Sequence, residues 1–186
     1  RRIKEWLYTR QWTLGEAQVE VVSTLENENL QGTWLVFADK GGIATALVER
    51  LGERGERCVL AHKGKACTAH PDGSWTLDPS SPDDFEQFIQ ETAVSSDVAI
   101  NGIVYLWSTE KASVYDAIAR PVLHLVQALA RFRTPSGPRM WIATVGAQAI
   151  EEGDALHGYA YATLWGFARV IALEHPQLRP SLVDLD

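Results

Sequence analysis

A turn between a predicted strand and a predicted helix carries the residue types and spacing best suited to chemistry. The strand covers residues 33–38, the helix begins at Ile43, and the turn between them reads Asp39-Lys40-Gly41-Gly42. Glycines at such a turn let the backbone approach a pyrophosphate, and the positive end of the helix dipole attracts the phosphate charge. The turn therefore lies where a nucleotide-binding site would be expected.

The residue types in this turn argue against a bound nucleotide. Ala38 and Ala44 stand where the first and last glycines of a dinucleotide-binding turn would be, and their methyl groups would obstruct the diphosphate. Asp39 places a carboxylate beside the phosphate position, and it would repel the phosphate unless Lys40 offset it. We therefore expect no cofactor-binding residue here and interpret the turn as one retained for its shape.

Two side chains after the next predicted strand could contact a further phosphate. His62 and Lys63 precede Gly64, and a cation at this point could bind the 2′-phosphate of a dinucleotide. An exposed basic turn explains the same residues without a ligand, because a solvated lysine needs none. We adopt this second interpretation.

The last predicted helix begins with two tyrosines that could act as acids. A lysine four residues after such a tyrosine would lie on the same helical face and lower its pKa. The residues four positions after Tyr159 and Tyr161 are instead Thr163 and Trp165. Thr144 could polarise a carbonyl group as a serine does, but alone it forms no acid–base pair. The sequence therefore predicts no catalytic residue.

The other ionisable residues predict neither a metal site nor a nucleophile. The histidines lack the spacing and the cysteine partners of zinc sites, and neither a Gly-x-Ser-x-Gly nor a Walker-type Gly-Lys-Ser sequence occurs. Asp83-Asp84 fits a helix N-terminus, and Glu151-Glu152 fits a solvated loop. The histidines concerned are His62, His70, His124, His157 and His175.

Composition excludes several classes of protein. The 186 residues include 17 basic and 24 acidic side chains, and the net charge of −7 argues against a nucleic-acid partner. A hydrophobic fraction of 46% excludes intrinsic disorder. No apolar run reaches the roughly 18–20 residues that span a bilayer, and the first residues form no signal peptide. We interpret Cys58 and Cys67 as reduced thiols. Because reduced thiols are typical of the cytosol, we expect a soluble cytoplasmic protein.

Strand and helix patterns alternate along the chain. Predicted strands cover 6–12, 33–38, 58–62, 75–77, 100–107, 139–145 and 181–186, and predicted helices cover 43–54, a segment opening at Ser81-Pro82, 112–132 and 159–174. The alternation predicts an α/β fold with a mostly parallel sheet flanked by helices. We expect one domain, residues 1–186, with a Rossmann-like body over 33–186. Pro121 should kink the third helix or mark a boundary in it.

Large aromatic residues at two places suggest packing roles. Trp6, Tyr8 and Trp12 lie on one face of the N-terminal strand, so they predict either an interface with a partner domain or packing on the domain's own helices. Trp165, between Leu164 and Phe167 on the last helix, predicts a buried or half-buried core position.

The most specific sequence segment is Leu-Trp-Gly-Phe-Ala-Arg-Val-Ile-Ala-Leu-Glu-His-Pro at 164–176, followed by Leu-Val-Asp-Leu-Asp at 182–186. Weaker support comes from segments 7–12, 34–39, 104–107 and 123–129. In these segments the sequence resembles that of the structural subdomain of ketoreductase domains in modular polyketide synthases. The resemblance extends over most of its length.

The resemblance implies a truncated Rossmann-like fold and a role without catalysis. In that family the ketoreductase consists of two short-chain-dehydrogenase halves, of which the second carries the NADPH site and a Ser-Tyr-Lys set. This chain would be the first half, which braces the catalytic half as it reduces β-ketoacyl chains on an acyl carrier protein. The resemblance implies two kinds of partner, the catalytic half and the neighbouring synthase domains. Trp6, Tyr8 and Trp12 are the candidate contacts with the catalytic half.

Two alternatives remain open from the sequence. The chain could be a pseudo-ketoreductase scaffold beside a methyltransferase in a non-reducing module. It could also be a stand-alone reductase that binds a nucleotide through an atypical turn.

Overall fold

The computed structural model describes residues 32–94, 99–110, 115–132, 137–150 and 158–185. The predicted strand 6–12 lies outside the described residues. Among the residues within them, none of the helices is both long enough and apolar enough to cross a membrane.

A seven-stranded, mostly parallel sheet forms the centre of the domain. Its strands follow the order β3-β4-β2-β1-β5-β6-β7, and all neighbouring strands are parallel except β3 and β4. The strands are β1 Thr33–Phe37, β2 Arg57–Lys63, β3 Thr68–Ala69, β4 Trp75–Leu77, β5 Ile100–Tyr105, β6 Arg139–Val145 and β7 Ser181–Leu185. This arrangement confirms the predicted Rossmann-like α/β fold.

Four α-helices connect these strands. They are α1 Ile43–Glu53, α2 Pro82–Ile89, α3 Tyr115–Phe132 and α4 Ala162–Glu174. Ser81 caps α2 as predicted, because its hydroxyl accepts a hydrogen bond from the backbone N–H of Asp84 at 3.3 Å. Pro121 marks no boundary, since α3 continues through it.

Three details differ from the sequence prediction. β5 ends at Tyr105 rather than at residue 107, and Trp107–Thr109 form a 3-10 turn. The Trp107 indole N–H turns back to the Ala61 carbonyl at 3.2 Å, which a continuing strand would not allow. The short β3 was predicted as a turn-rich stretch, and the predicted last helix begins with a 3-10 turn at Tyr159–Tyr161.

Helices cover the two faces of the sheet unequally. The three-helix face, which carries Leu35, Phe37 and Ile103, packs against α2, α3 and α4. Phe37 is its centre, with ring centroids 5.2 Å from Trp107 and 5.5 Å from Tyr105. The opposite, one-helix face receives core side chains from α1 alone among the described helices. Strand residues alternate between the two faces, which places Trp34, Val36, Gly102, Val104, Trp141, Ala143 and Val183 on the one-helix face.

Two tryptophan rings stack on each other on the one-helix face. Trp34 and Trp141 stack with centroids 5.5 Å apart and an interplanar angle of 29°. Gly102 lies beneath them, and a Cβ there would be 2.5 Å from the Trp34 ring and 3.0 Å from the Trp141 ring. The glycine in the middle of β5 is therefore required for the rings to approach the backbone.

We expect Gly102→Ala to lower the free energy of unfolding by about 1–3 kcal/mol, because the added methyl group displaces both rings. Urea denaturation measures the change. Gly52→Ala is the matched control, since nothing lies within 4 Å of a Cβ at Gly52. Alanine in α1 should stabilise the domain by about 0.5–1 kcal/mol. Equal effects of the two substitutions would show that the rings do not need the glycine.

Candidate functional site

The carboxylate of Asp39 binds the N-terminus of α1. Its Oδ1 accepts a hydrogen bond from the Ala44 backbone N–H at 2.8 Å, and its Oδ2 accepts one from the Ile43 N–H at 3.2 Å. Asp39 is 8% exposed. The first amides of a helix are the groups that hold a phosphate in nucleotide-binding turns. Here the chain's own carboxylate engages them.

The two glycines of the turn allow this contact. Gly42 has φ +96°, in the left-handed region that favours glycine. A Cβ on Gly41 would lie 2.9 Å from Asp39 Oδ2, so a side chain there would disturb the carboxylate. The sequence analysis predicted that Asp39 would repel a phosphate. The structure adds that Asp39 itself occupies the hydrogen-bond donors.

A second carboxylate joins the loops at the same edge of the sheet. Glu110 Oε1 accepts a hydrogen bond from the Lys40 backbone N–H at 3.1 Å, and Glu110 Oε2 pairs with Lys63 Nζ at 2.8 Å. Lys63 Nζ also donates to the Trp107 carbonyl at 3.1 Å and lies 5.7 Å from the Trp107 ring centroid. The interpretation of an exposed basic turn at His62-Lys63 is therefore wrong. Both residues are half-buried, and the lysine charge is paired.

Thr144 lies in a third carboxylate network. Its side chain is fully buried, and its hydroxyl donates to Asp184 Oδ1 at 2.6 Å while it accepts from Trp165 Nε1 at 3.1 Å. The Asp184 carboxylate also accepts from the backbone N–H groups of Ala147 and Gln148, at 2.9 and 2.8 Å to Oδ2. The hydroxyl of Thr144 is thus engaged in anchoring the segment after β6 to β7.

Sequence reasoning missed both Asp184 and Glu110. One signal for Asp184 was available, because the pattern of β7 points this residue, between two apolar neighbours, to the three-helix face. Glu110 had no local signal, since its partner Lys63 lies 47 residues earlier in the chain.

The start of α4 places the side chains of Tyr161, Thr163 and Trp165 in defined surroundings. Tyr161 is buried, and the residue four positions later, Trp165, is half-buried against the core, as the sequence predicted. Thr163 donates its hydroxyl to the Ala160 carbonyl at 3.0 Å.

Tyr105, at the end of β5, is also fully buried. Burial raises the pKa of its hydroxyl, so that the side chain stays protonated.

The cysteines are poor nucleophiles. Burial, with smaller contributions from Asp84 and Glu91, raises the pKa of Cys67 to about 11. Burial and the nearby charge of Glu56 also raise the pKa of Cys58. Both thiols are therefore protonated at neutral pH, and only the thiolate reacts.

A metal site is likewise not seen in the part of the chain that the structure describes, where no three potential ligands cluster. Asp83 and Asp84 lie in the first turn of α2, as predicted from the sequence. His157 and Glu151-Glu152 lie outside the described residues.

We expect Asp39→Ala to lower the free energy of unfolding by about 1–2 kcal/mol, because it leaves the N-terminal amides of α1 without a partner. Thermal and urea denaturation measure the loss. Asp39→Asn is the control, since its carbonyl oxygen can still accept one of the two hydrogen bonds and should lose less. An alanine variant as stable as the parent would contradict the capping role.

We expect Trp165→Ala to cost about 3 kcal/mol, since it removes a half-buried ring and its hydrogen bond to Thr144. Trp165→Phe keeps a ring but removes the indole N–H, and should cost about 1 kcal/mol. Urea denaturation of both variants separates the contribution of packing from that of the hydrogen bond. A melting temperature of the alanine variant equal to that of the parent would place the residue at the periphery.

Comparison with known proteins identifies relatives in one class of multienzyme. The family model "Polyketide synthase extender module SpnB, Rossmann fold domain" matches residues 48–186. Polyketide synthase GfsB of Streptomyces halstedii is 31% identical over 164 residues, which cover 83% of this chain and 3% of the relative. The pikromycin synthase component PikAII of Streptomyces venezuelae is 27% identical over 97% of this chain and 4% of its own length. The chain thus spans a small part of these relatives.

Solved structures with the same fold include ketoreductases. A C2-type ketoreductase from a modular polyketide synthase aligns with a TM-score of 0.58 and 24% identity, over 82% of this chain and 31% of that one. A short-chain dehydrogenase/reductase from Serratia marcescens aligns with a TM-score of 0.54 and 17% identity, over 83% of this chain and 77% of that one. These structures support the fold assignment.

Proposed function

The chain belongs to the SpnB-type Rossmann fold domains of polyketide synthases, and from this premise we propose that it is the non-catalytic structural subdomain of a ketoreductase. In this role it braces a second, catalytic half that uses NADPH to reduce β-ketoacyl chains on an acyl carrier protein. NADPH would be bound in that second half.

The observation that carries this proposal is the hydrogen bonding of Asp39. A nucleotide would have to displace a buried carboxylate from the Ile43 and Ala44 amides. It would also have to leave that carboxylate uncompensated beside its own phosphates, at a large cost in free energy. The ion pair between Lys63 and Glu110 removes the nearest partner for a further phosphate.

The catalytic groups of reductases are also replaced. The positions that would hold lysines after Tyr159 and Tyr161 hold Thr163 and Trp165, and the Thr144 hydroxyl is engaged by Asp184. These residues support a scaffold more than a stand-alone reductase with an atypical turn.

Two further parts of the proposal concern partners and location. Trp6, Tyr8 and Trp12 stay a predicted contact with the catalytic half, outside the described residues. Neighbouring synthase domains and the acyl carrier protein are the other proposed partners. We propose a cytoplasmic location, which the free thiols of Cys58 and Cys67 support, since oxidising compartments favour disulfides.

Titration of the chain with NADPH tests the proposal. We expect no saturable heat and no saturable quenching of tryptophan fluorescence up to about 100 μM, which corresponds to a binding free energy of about −5.5 kcal/mol. Asp39→Gly should give the largest gain in affinity, more than Ala38→Gly with Ala44→Gly, because it frees the helix amides as well as removing the charge. Asp72→Gly, in an exposed turn, is the matched control.

Saturable binding of NADPH to the unmodified chain below that concentration would favour the reductase alternative. A gain from the two alanine substitutions alone would show that the methyl groups, and not Asp39, exclude the nucleotide.

A further inference from the structure

The segments that lead into β6 and β7 run side by side. In the sheet register Trp141 pairs with Ser181. Before the two strands begin, Gly137 approaches Gln177 so closely that a Cβ on the glycine would lie 2.6 Å from the Gln177 carbonyl oxygen. Each contact joins a residue to the one 40 positions later in the chain. Residues 139 and 179 lie between these two contacts, so they are neighbours on adjacent segments.

Both of these positions hold arginine. Arg139 and Arg179 are exposed, and the side chain of neither forms an ion pair with a carboxylate of the described residues. The net charge of the chain is −7, so a generally basic composition does not explain two adjacent arginines. Like charges on neighbouring segments repel each other, and an anion bound to both removes that repulsion.

The guanidinium of Arg139 is held in place by its neighbours. It lies 4.9 Å from the centroid of the Trp141 ring and donates a hydrogen bond to the Ser181 hydroxyl at 3.4 Å. A cation above an indole ring is attracted to the face of the ring. An ordered side chain loses little conformational entropy when it binds a ligand. We call Arg139, Trp141, Arg179 and Ser181 the arginine patch.

The backbone of Arg179 is strained. Its φ of +38° lies in the left-handed region, where every other described residue is a glycine. The next residue, Pro180, favours an extended backbone before it and therefore adds to the strain. Glycine would relieve this strain, yet the sequence holds a long cationic side chain here. Strain of this kind is typical of binding sites and other functional sites.

The geometry of the patch favours carboxylates over an enclosed phosphate. Phosphate sites commonly use converging backbone N–H groups. Here the N–H groups of Leu178 and Arg179 donate to the carbonyls of His175 and Pro176, and Pro180 has no N–H. Two exposed guanidinium groups instead suit the planar carboxylates of an extended acidic segment, each of which can be bound in a bidentate manner.

We propose that the arginine patch binds an acidic polypeptide segment from a part of the synthase outside the ketoreductase. Aspartate or glutamate side chains of that segment accept hydrogen bonds from Arg139 and Arg179. The aligned region is 31% of the C2-type ketoreductase but only 3% of polyketide synthase GfsB, so most of a comparable synthase lies outside the ketoreductase. This binding is independent of the scaffold role, since neither the nucleotide-binding turn nor the catalytic half takes part in it.

Titration of the chain with a capped hexaglutamate peptide, measured by calorimetry at low salt, tests the proposal. The net charge of −7 repels this peptide at long range, so binding reports the local patch. We expect saturable binding that weakens as salt is raised, because exposed charges are screened. Hexaglutamine is the neutral probe and should not bind.

Two substitutions locate the binding. Arg139→Gln should weaken it by about fivefold. Arg179→Gly should weaken it as much and also raise the melting temperature, because glycine adopts the positive φ without strain. A loss of binding in this more stable variant could not come from unfolding. Arg169→Gln is the matched control, since it removes an exposed arginine from α4, on the opposite side of the sheet, and should leave the affinity unchanged.

Several results would overturn the proposal. The first is an absence of saturable hexaglutamate binding, and the second is equal binding of hexaglutamine or equal weakening by Arg169→Gln. Inorganic phosphate that displaces the peptide at an equal concentration would show a small-anion site instead. A self-association of the chain that Arg139→Gln abolishes would assign the patch to a second copy.

Association with the catalytic half, expressed separately, distinguishes the patch from the contact between the two halves. We expect Arg139→Gln and Arg179→Gly to leave that association unchanged. If they weaken it, the patch belongs to the contact between the halves, and the proposal is wrong while the scaffold function stands. If the catalytic half does not bind this chain at all, the scaffold function is wrong, and the binding of the acidic peptide is unaffected by that result.

Discussion

The structure around the start of α1 depends on the hydrogen bonds that one carboxylate, Asp39, accepts. The order of strand, turn and helix brings the N-terminal amides of α1 to the edge of the sheet, where they need an acceptor. In a nucleotide-binding protein that acceptor is a ligand, and the site stays open to receive it. Here Asp39 supplies the acceptor within the chain. The amides of Ile43 and Ala44 are therefore satisfied within the chain.

Two other carboxylates accept similar hydrogen bonds along the carboxyl edge of the sheet. Glu110 holds the turn after β1 to the end of β2, and Asp184 holds the segment after β6 to the end of β7. Each carboxylate accepts hydrogen bonds from backbone amides or from a lysine in a partly buried place, where such bonds are strong. The loops at this edge are therefore tied to neighbouring strands.

The elements were predictable from the sequence, but the contacts between them were not. Apolar runs and period-two patterns located β1, β2, β5, β6 and β7, and Ser81 marked the start of α2, because these signals act over a few residues. The pairs Lys63–Glu110 and Thr144–Asp184 join residues 47 and 40 positions apart, so no local pattern reports them. The turn at Asp39 was predictable in part. Its residue types predicted that a nucleotide is disfavoured, and the structure adds that the carboxylate accepts hydrogen bonds from the Ile43 and Ala44 amides.

The two faces of the sheet differ in the described helices that pack on them. The stacked pair of Trp34 and Trp141 over Gly102 is costly to leave in water, yet it is ordered by the bond of Trp34 to Glu56 and by Arg139 beside Trp141. Parallel sheets tolerate exposure poorly. Such half-exposed apolar rings therefore gain free energy when another apolar surface covers them.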